Sequence, residues 1–386
     1  LGHETVCVST VRDAKDATPT EIEGMRVHRL YSDYNVRWRG WVSLHNRAID
    51  GPLARILAEE QPDVVHAHLV HTHLGYHSLT QADRAGAAVI FTAHDVMTFC
   101  YQKLTCFHGG EAARGELRDY AANWKKCVPC QRLRYRPGRN RLIRRILERD
   151  VDRLTVVSDE LGAVLRANGL PVHRRVHNAI QLQERLPTPE EVAAFRARQG
   201  LGEDPVIAIG GRLHEQKGVG QLFAMLPSLL ADFPNLKVMV MGKREVYDRE
   251  FAADAKARGV DHAVVPTGWL DGDELQCAYS AVDVFVTPSI CFDTFGLVNL
   301  EAMEHQRPVV ATTFGGSPEV VLDGVTGAIA NPFDLELFAG EIRTLLGDPE
   351  RARAMGTLGR ERCIEHFTIQ RLCDEFQEEY ELALRA

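Results

Sequence analysis

Several things are missing from this 386-residue chain, and each omission closes off a function class. There is no run of about 18 uncharged apolar residues, so no segment reads as a membrane-spanning helix. There is no excess of positive charge: 53 acidic residues against 45 basic ones leave a net charge of −8, which argues against nucleic acid as the main partner. No short-period repeat and no low-complexity tract occur, which excludes a solenoid array and a compositionally disordered chain. The residues show no signal peptide, and a cytoplasmic setting is expected, with a peripheral position at the inner membrane face as its variant. What is present is 45% hydrophobic residues, enough to fill two cores, and a length that predicts two or three domains.

Apolar runs alternate with helical patterns along the whole chain, which predicts βαβ units and parallel sheets, an α/β fold. In the first half the strand candidates are Thr5–Thr10, Val64–His68, Ala88–His94, Leu154–Ser158 and Arg175–Asn178. A polar break over Gln181–Pro205 precedes a second series: Val206–Ile209, Lys237–Met241, Ala263–Pro266, Asp283–Pro288 and Pro308–Ala311. The boundary is placed near Ile180, giving domains at 1–180 and 181–361. A final segment, 362–386, carries Leu372, Phe376, Tyr380 and Leu384 on one helical stripe.

Asp293 and Glu301 have seven residues between them in CFDTFGLVNLEAMEHQ. The run before them, DVFVTPS, ends as a buried parallel strand leaving a sheet ends. After them Leu297, Leu300 and Met303 recur every three residues, so a helix is expected to begin near Gly296, with Asp293 on the loop and Glu301 about two turns along. Two carboxylates and a helix N-terminus at the carboxyl end of a strand lie where open α/β sheets bind ligands, and free N–H groups there suit phosphate. The alternative is a surface acidic pair beside an ordinary turn. Upstream, VIAIGGRLHEQKG reads as a strand, a Gly210-Gly211 turn, then Arg212 and Lys217 before a helix. Paired glycines let backbone approach a ligand. Arg212 offers a bidentate fork and Lys217 a mobile point charge, a set that roughly neutralises a pyrophosphate. Two solvated cations are the plainer reading.

From Gly210 to Gly327 the sequence resembles the donor half of retaining, GT-B-fold glycosyltransferases of family 4, and weaker likeness extends from about Pro62 to Phe367. The resemblance implies two Rossmann-like domains with parallel sheets facing across a cleft, an amino-terminal acceptor domain, a carboxyl-terminal nucleotide-sugar domain, and a last helix that crosses back. It implies transfer of a hexose-type sugar from a UDP- or GDP-linked donor to a hydroxyl of a sugar, lipid-linked or small-molecule acceptor, within polysaccharide or glycoconjugate synthesis, with no cofactor or divalent metal for catalysis. The family's basic pair falls on Arg212 and Lys217, its Glu-x7-Glu motif on Asp293 and Glu301, its glycine turn on Gly315-Gly316, and its cleft histidine on His94 of TAHD. Donor contacts are then expected from Gly211, Arg212, Lys217, Gly268, Trp269, Leu270, Phe295, Gly296, Leu297 and Glu301, with His94, Asp293 and Glu301 as catalytic residues.

Three positions depart from the family pattern. Asp293 stands where most members have Glu, one methylene shorter. HNAIQ, His177–Gln181, replaces the usual Asn-Gly-Ile-Asp. The first residues, LGHETVCVST, correspond to a point in the family after its first strand, glycine loop and first helix. Two other classes remain open: a non-catalytic nucleotide-sugar-binding scaffold, and a nucleotide-sugar epimerase on the same fold.

Three further clusters invite chemistry. His66, His68, His71, His73 and His77 crowd into one segment, but no HExxH is present and a zincin reading fails. His66 and His68, two apart on a strand, share a face and suit cleft lining. Cys100, Cys106, Cys127 and Cys130 form C-x5-C-x20-C-x2-C in a polar insertion over 97–131, with a structural zinc, disulfides or unpaired thiols as the alternatives. Some family members carry a similar insertion. Cys7, Cys277, Cys291, Cys363 and Cys373 read as buried small hydrophobes. Finally, Arg132–Asp150 holds eight arginines against two acids, either a solvated helix face or a surface for anionic lipid or acceptor through Arg132–Arg149.

Overall fold

Short aliphatic runs bounded by polar turns become strands, and the segments between them become helices whose apolar stripes cover the sheets. The computed structural model describes residues 2–108 and 118–386. Its chain divides into two units, the first made of Leu1–Leu104, Tyr120–Val176 and Asp374–Ala386, the second of Thr105–Asp119 and His177–Cys373. The division thus falls at Val176, four residues before the expected boundary, and part of the 97–131 insertion groups with the second unit rather than the first.

The first unit holds two sheets. β1 (Val6–Val11) pairs in parallel with β3 (Met25–Tyr31), whose other edge takes β2 (Thr20–Ile22) in antiparallel register, Ile22 opposite Met25. The second sheet is parallel throughout, in the order β4 (Val64–His68), β5 (Ala88–Ala93), β6 (Arg153–Val156), β7 (Arg174–Arg175). Its core includes Val89, Ile90, Leu154 and Leu165, none of them exposed. The carboxyl-terminal part of the Ile369–Ala383 helix belongs here. Its Phe376 lies with the ring centroid 4.6 Å from that of His66, and Tyr380 OH lies 3.0 Å from His66 Nδ1. The apolar stripe holds only in part. Glu379 and Ala383 are the buried residues of this helix, whereas Leu384 is exposed. Glu379 is buried because Arg153 of β6 meets it with two nitrogens, at 2.9 and 3.2 Å, a fork that satisfies a carboxylate out of water.

The second unit is one six-stranded parallel sheet. Its order is β10 (Val264–Gly268), β9 (Lys237–Met241), β8 (Val206–Gly210), β11 (Val284–Thr287), β12 (Val309–Thr312), β13 (Gly327–Ala330). Chain progression runs outward from β8 in one direction and from β11 in the other. This doubly wound arrangement has its switch point between β8 and β11, and such sheets bind ligands outside the carboxyl ends of the strands at that point. The strands read as unbroken apolar runs because helices cover both faces. Ile207, Val238, Val240, Val284 and Val286 pack with Leu222, Phe223 and Leu226 of the Val219–Asp232 helix and Phe338 of the Leu335–Gly347 helix. Each such side chain contributes about 1.5–3 kcal/mol when fully buried.

Every anticipated strand exists, most within one or two residues of its expected limits; β7 is cut to two residues. Three strands were not anticipated: β2, β3 and β13. β13 reads GAIA, with too little β-branched character to stand out, and Gly327 is needed because a Cβ there would come within 2.1 Å of the Val309 carbonyl oxygen.

Candidate active site

The turns leaving β8 and β11 are tied together by backbone. The carbonyl of Gln216 accepts from the N–H groups of Ile290 at 3.0 Å and Cys291 at 3.4 Å. Gly218 sits so close to the second turn that a Cβ on it would lie 1.8 Å from the Pro288 carbonyl oxygen, and its φ of +81° is one that other residues rarely adopt. Gly211 lies against the start of the following helix, its would-be Cβ 3.4 Å from Val298 Cγ1. The glycine turn, the basic turn and the acidic turn therefore form a single structure at the switch point.

Within it, Lys217 Nζ donates to Asp293 Oδ2 at 2.7 Å, and Ser289 Oγ donates to the same oxygen at 3.1 Å. Burial works against charge on Lys217, but the Asp293 carboxylate and the hydrogen bond to it, with Cys291, outweigh that and raise the lysine above its ordinary value. Arg212 is near enough to push the other way; its own side chain is exposed. The two predicted cations and the first predicted acid are thus in one place. Asp293 is fixed from behind by its backbone, whose carbonyl accepts from Gly316 N–H at 2.8 Å. Gly315 makes that approach possible, since a Cβ there would stand 2.0 Å from the Asp293 oxygen.

The helix after this turn, Leu297–Glu304, starts at Gly296 with no side-chain cap. Its first N–H groups keep the partial positive charge of a helix start, which suits an anion. Fully buried Asn299 accepts from Thr287 Oγ1 at 2.9 Å and reaches Ser317 Oγ at 3.5 Å, joining β11, this helix and the glycine turn after β12. Glu301 is the fifth residue of the helix, one turn along rather than two. Tyr279 OH donates a short hydrogen bond to Glu301 Oε2. Burial raises the Glu301 carboxyl, and the Tyr279 bond opposes that rise. Tyr279 in turn stacks on His305, ring centroids 5.4 Å apart, and His305 Nδ1 lies 2.7 Å from the Glu301 carbonyl oxygen. Burial holds His305 down at about 4, hence neutral.

The remaining donor-site expectations fall as follows. Gly268 ends β10 and its carbonyl accepts from Gly242 N–H at 3.1 Å; Trp269 beyond it is 63% exposed and Leu270 half-buried. The Leu297 side chain is exposed. The Phe295 side chain points into the core beside Phe367, centroids 6.0 Å apart, and beside His177 at 5.5 Å. Only its backbone is available to a ligand. Sequence reasoning missed Tyr279, Ser289 and Asn299, which position the acids, and it missed Phe107. That residue lies in the insertion, yet it is buried in the second unit with its centroid 5.0 Å from Phe314 and 6.3 Å from Phe292, and Arg118 caps Phe314 at 4.7 Å. An aromatic beside Cys106 in a polar stretch was the available signal.

In the first unit, His94 follows β5 and its Nε2 lies 2.8 Å from His68 Nδ1. His66 and His68 do share a face, with centroids 4.1 Å apart. Burial holds His94 down at about 4 and His66 at about 3, so both rings are neutral near pH 7. His71 Nε2 is 3.4 Å from Asp95 Oδ2, and His73 Nδ1 is 3.1 Å from Ser32 Oγ. Cys100, Cys127 and Cys130 of this unit form no group of three metal ligands among the described residues, and Cys106 belongs to the second unit. Cys277, Cys291 and Cys363 are buried, but Cys7 and Cys373 are only half-buried. The arginine-rich stretch is also less uniform than it reads: Arg139 is buried, bonded to the Met97 carbonyl and packed over the Tyr101 ring at 4.6 Å. Among the described residues, no helix is long and apolar enough to cross a membrane.

Comparison with known proteins follows the same division. Residues 1–184 match the family described as Glycosyltransferase Family 4, and residues 204–348 match Glycosyl transferases group 1. The chain is 34% identical over 187 residues to the GDP-mannose-dependent alpha-(1-6)-phosphatidylinositol monomannoside mannosyltransferase of Mycolicibacterium smegmatis, covering 47% of this chain and 49% of that protein. It thus spans about half the length of the curated relatives it matches. Sucrose-phosphate synthase from Thermosynechococcus elongatus has the same fold, with a TM-score of 0.76 at 21% identity over 98% of this chain and 89% of that one. Anabaena HepE, solved with UDP-glucose, gives 0.68 at 17% identity over 93% and 86%.

Proposed function

Because the chain belongs to the GT-B glycosyltransferases of group 1 and family 4, we propose that it transfers a hexose from a nucleoside diphosphate sugar to a hydroxyl acceptor, with retention at the anomeric carbon. The observation that carries this reading is the convergence of Lys217, Arg212, Asp293 and an uncapped helix start at one switch point. The diphosphate takes Arg212, Lys217 and the N–H groups at Gly296–Leu297, which stabilise charge as the nucleoside diphosphate leaves, the electrostatic contribution that dominates such reactions. The Lys217–Asp293 bond means that the lysine is already held in place before the donor arrives, so little ordering is left for the bound state. Asp293, shorter than Glu, is brought to bear by the Gly315 approach and faces the sugar. Glu301, held by Tyr279, accepts from the ribose hydroxyls, and backbone at Gly268–Leu270 meets the base. His94 is neutral, so it offers a hydrogen bond to a sugar hydroxyl without adding charge.

UDP and GDP are the candidate donor nucleotides, since relatives include a GDP-mannose enzyme and a fold neighbour solved with UDP-glucose. The acceptor class we favour is a glycoconjugate, lipid-linked included. Exposed Arg132, Arg134, Arg141 and Arg145, with Leu133 at 93% and Trp124 at 68% exposure, suit contact with an anionic membrane face.

Thermal shift with UDP, GDP and ADP tests the pocket. One nucleotide should raise the melting temperature, and Arg212→Ala, an exposed side chain, should abolish the rise without altering the melting of the empty protein. Donor turnover should fall on the order of 100-fold or more in Lys217→Ala. Nucleotide stabilisation that survives both substitutions would overturn the assignment.

A further inference from the structure

A separate cluster sits in the first unit. His45 precedes the Arg47–Glu60 helix, Asp50 lies in its first turn, and His77 opens the His77–Arg84 helix. One ligand atom from each lies within 4.8 Å of the other two. We infer that His45, Asp50 and His77 bind one divalent ion of the zinc class.

The geometry is close to what such an ion needs. Tetrahedral zinc with bonds of about 2.1 Å places its ligand atoms about 3.4 Å apart. His45 Nε2 and Asp50 Oδ2 stand 2.5 Å apart, within hydrogen-bond distance, and the imidazoles of His45 and His77 have centroids 4.2 Å apart. An ion replaces this hydrogen bond: the neutral His45 ring carries its hydrogen on Nδ1, Nε2 faces the metal, and the ligands adjust by about 1 Å. The backbone beneath is fixed. Tyr76 N–H donates to the Ser43 carbonyl at 2.7 Å and His77 N–H to the Leu44 carbonyl at 3.2 Å, so the two histidine segments run together. Gln81 Nε2 holds the Asp50 carbonyl at 3.2 Å. Buried Leu44, Ile49 and Tyr76 anchor each segment next to its ligand.

The donor set selects the ion. Two imidazoles and one carboxylate favour zinc and its neighbours over magnesium or calcium, which prefer all-oxygen shells. Three protein ligands leave a fourth position to water, and His45 is exposed enough to give an entry path. The ion would pin the chain before one helix to the first residue of another, acting as a staple rather than a reactive centre.

The test is zinc titration of the full chain after chelator treatment, by calorimetry and by melting temperature. One equivalent should bind and raise the melting temperature. Asp50→Asn and His77→Ala should each weaken binding at least on the order of tenfold and remove the zinc-dependent shift. His45→Gln, at an exposed position, serves where His77→Ala does not fold. Cobalt substitution should show imidazole and carboxylate ligand-field bands without thiolate charge transfer. Equal zinc affinity in the parent and all three variants would overturn the site, as would thiolate bands, which would put the ion on the cysteines instead.

Discussion

The six-stranded sheet of the second unit and the four-stranded sheet of the first are both parallel, and both present polar residues at the carboxyl ends of their strands. They do so by different means. In the second unit the charged side chains sit on turns, and backbone contacts of Gly218 with Pro288 and Gly315 with Asp293 hold those turns together. In the first, the polar residues are ring side chains on neighbouring strands, His66 and exposed His68 on β4 and His94 just past β5, with desolvation keeping His66 and His94 neutral. A turn-built site concentrates charge, whereas a ring-built one supplies neutral hydrogen bonds. Catalysis of phosphate departure asks for the first kind, and recognition of hydroxyls is served by the second.

The comparison breaks most sharply at Gly218. Gly218→Ala places a methyl 1.8 Å from the Pro288 oxygen at a φ of +81°, whereas Gly259→Ala has a similar φ of +71° and nothing within 4 Å. The second substitution should cost about 1–2 kcal/mol of backbone strain. The first should cost at least about 3 kcal/mol or separate the two turns, and donor turnover should fall on the order of 100-fold or more. Unfolding curves and turnover of both variants decide it. Similar losses in the two would mean that the close approach does not organise the site.

This dependence on turns explains what could be read from sequence. The strand-to-helix spacing around Asp293 and Glu301, and the Gly-Gly turn before Arg212 and Lys217, are local patterns, and the structure brings Arg212, Lys217 and Asp293 together as they suggest. Tyr279 was not legible, because its bond to Glu301 joins two helices with no periodic mark on either partner. Phe107 was missed because a polar insertion gives no sign of which unit will bury its ring. The pairing of Arg153 with Glu379, 226 residues apart, could not be anticipated either. It adds an ion pair to the contact that Phe376 and Tyr380 of the expected stripe make with His66. Gly327 shows the same limit in a strand: the sequence marks a glycine, not the carbonyl pressed against it.

The first unit is probed at that Arg153–Glu379 pair. Glu379 is fully buried, while Arg153 keeps some exposure, and Arg174 Nη1 stands 3.5 Å from the same carboxylate. Arg153→Ala leaves a buried carboxylate with one distant partner and should destabilise by about 3 kcal/mol. Since Glu379 lies on the last helix, protection of Asp374–Ala383 against hydrogen exchange should fall first, with the nucleotide-dependent shift of the second unit retained. Uniform loss across both units would show that they do not unfold separately.

The smallest effect expected is one of pH. Burial raises the Glu301 carboxyl, and the hydrogen bond from Tyr279 favours the carboxylate and so limits the rise. Tyr279→Phe removes that bond, and the Glu301 pKa moves further up. The proposed role of Glu301 toward the ribose hydroxyls needs it ionised, so the acid limb of kcat/KM should shift toward neutral pH, with the rate on the alkaline side close to the parent. The stability sign agrees. A carboxyl raised on folding makes the folded state hold its proton, so its contribution is fullest below the unfolded value and is lost as pH rises through the folded one. Tyr279→Phe should therefore cost more stability at pH 8 than at pH 4. A limb that stays in place while activity drops equally at every pH would assign Tyr279 a packing role on His305 and leave the state of Glu301 to its burial alone.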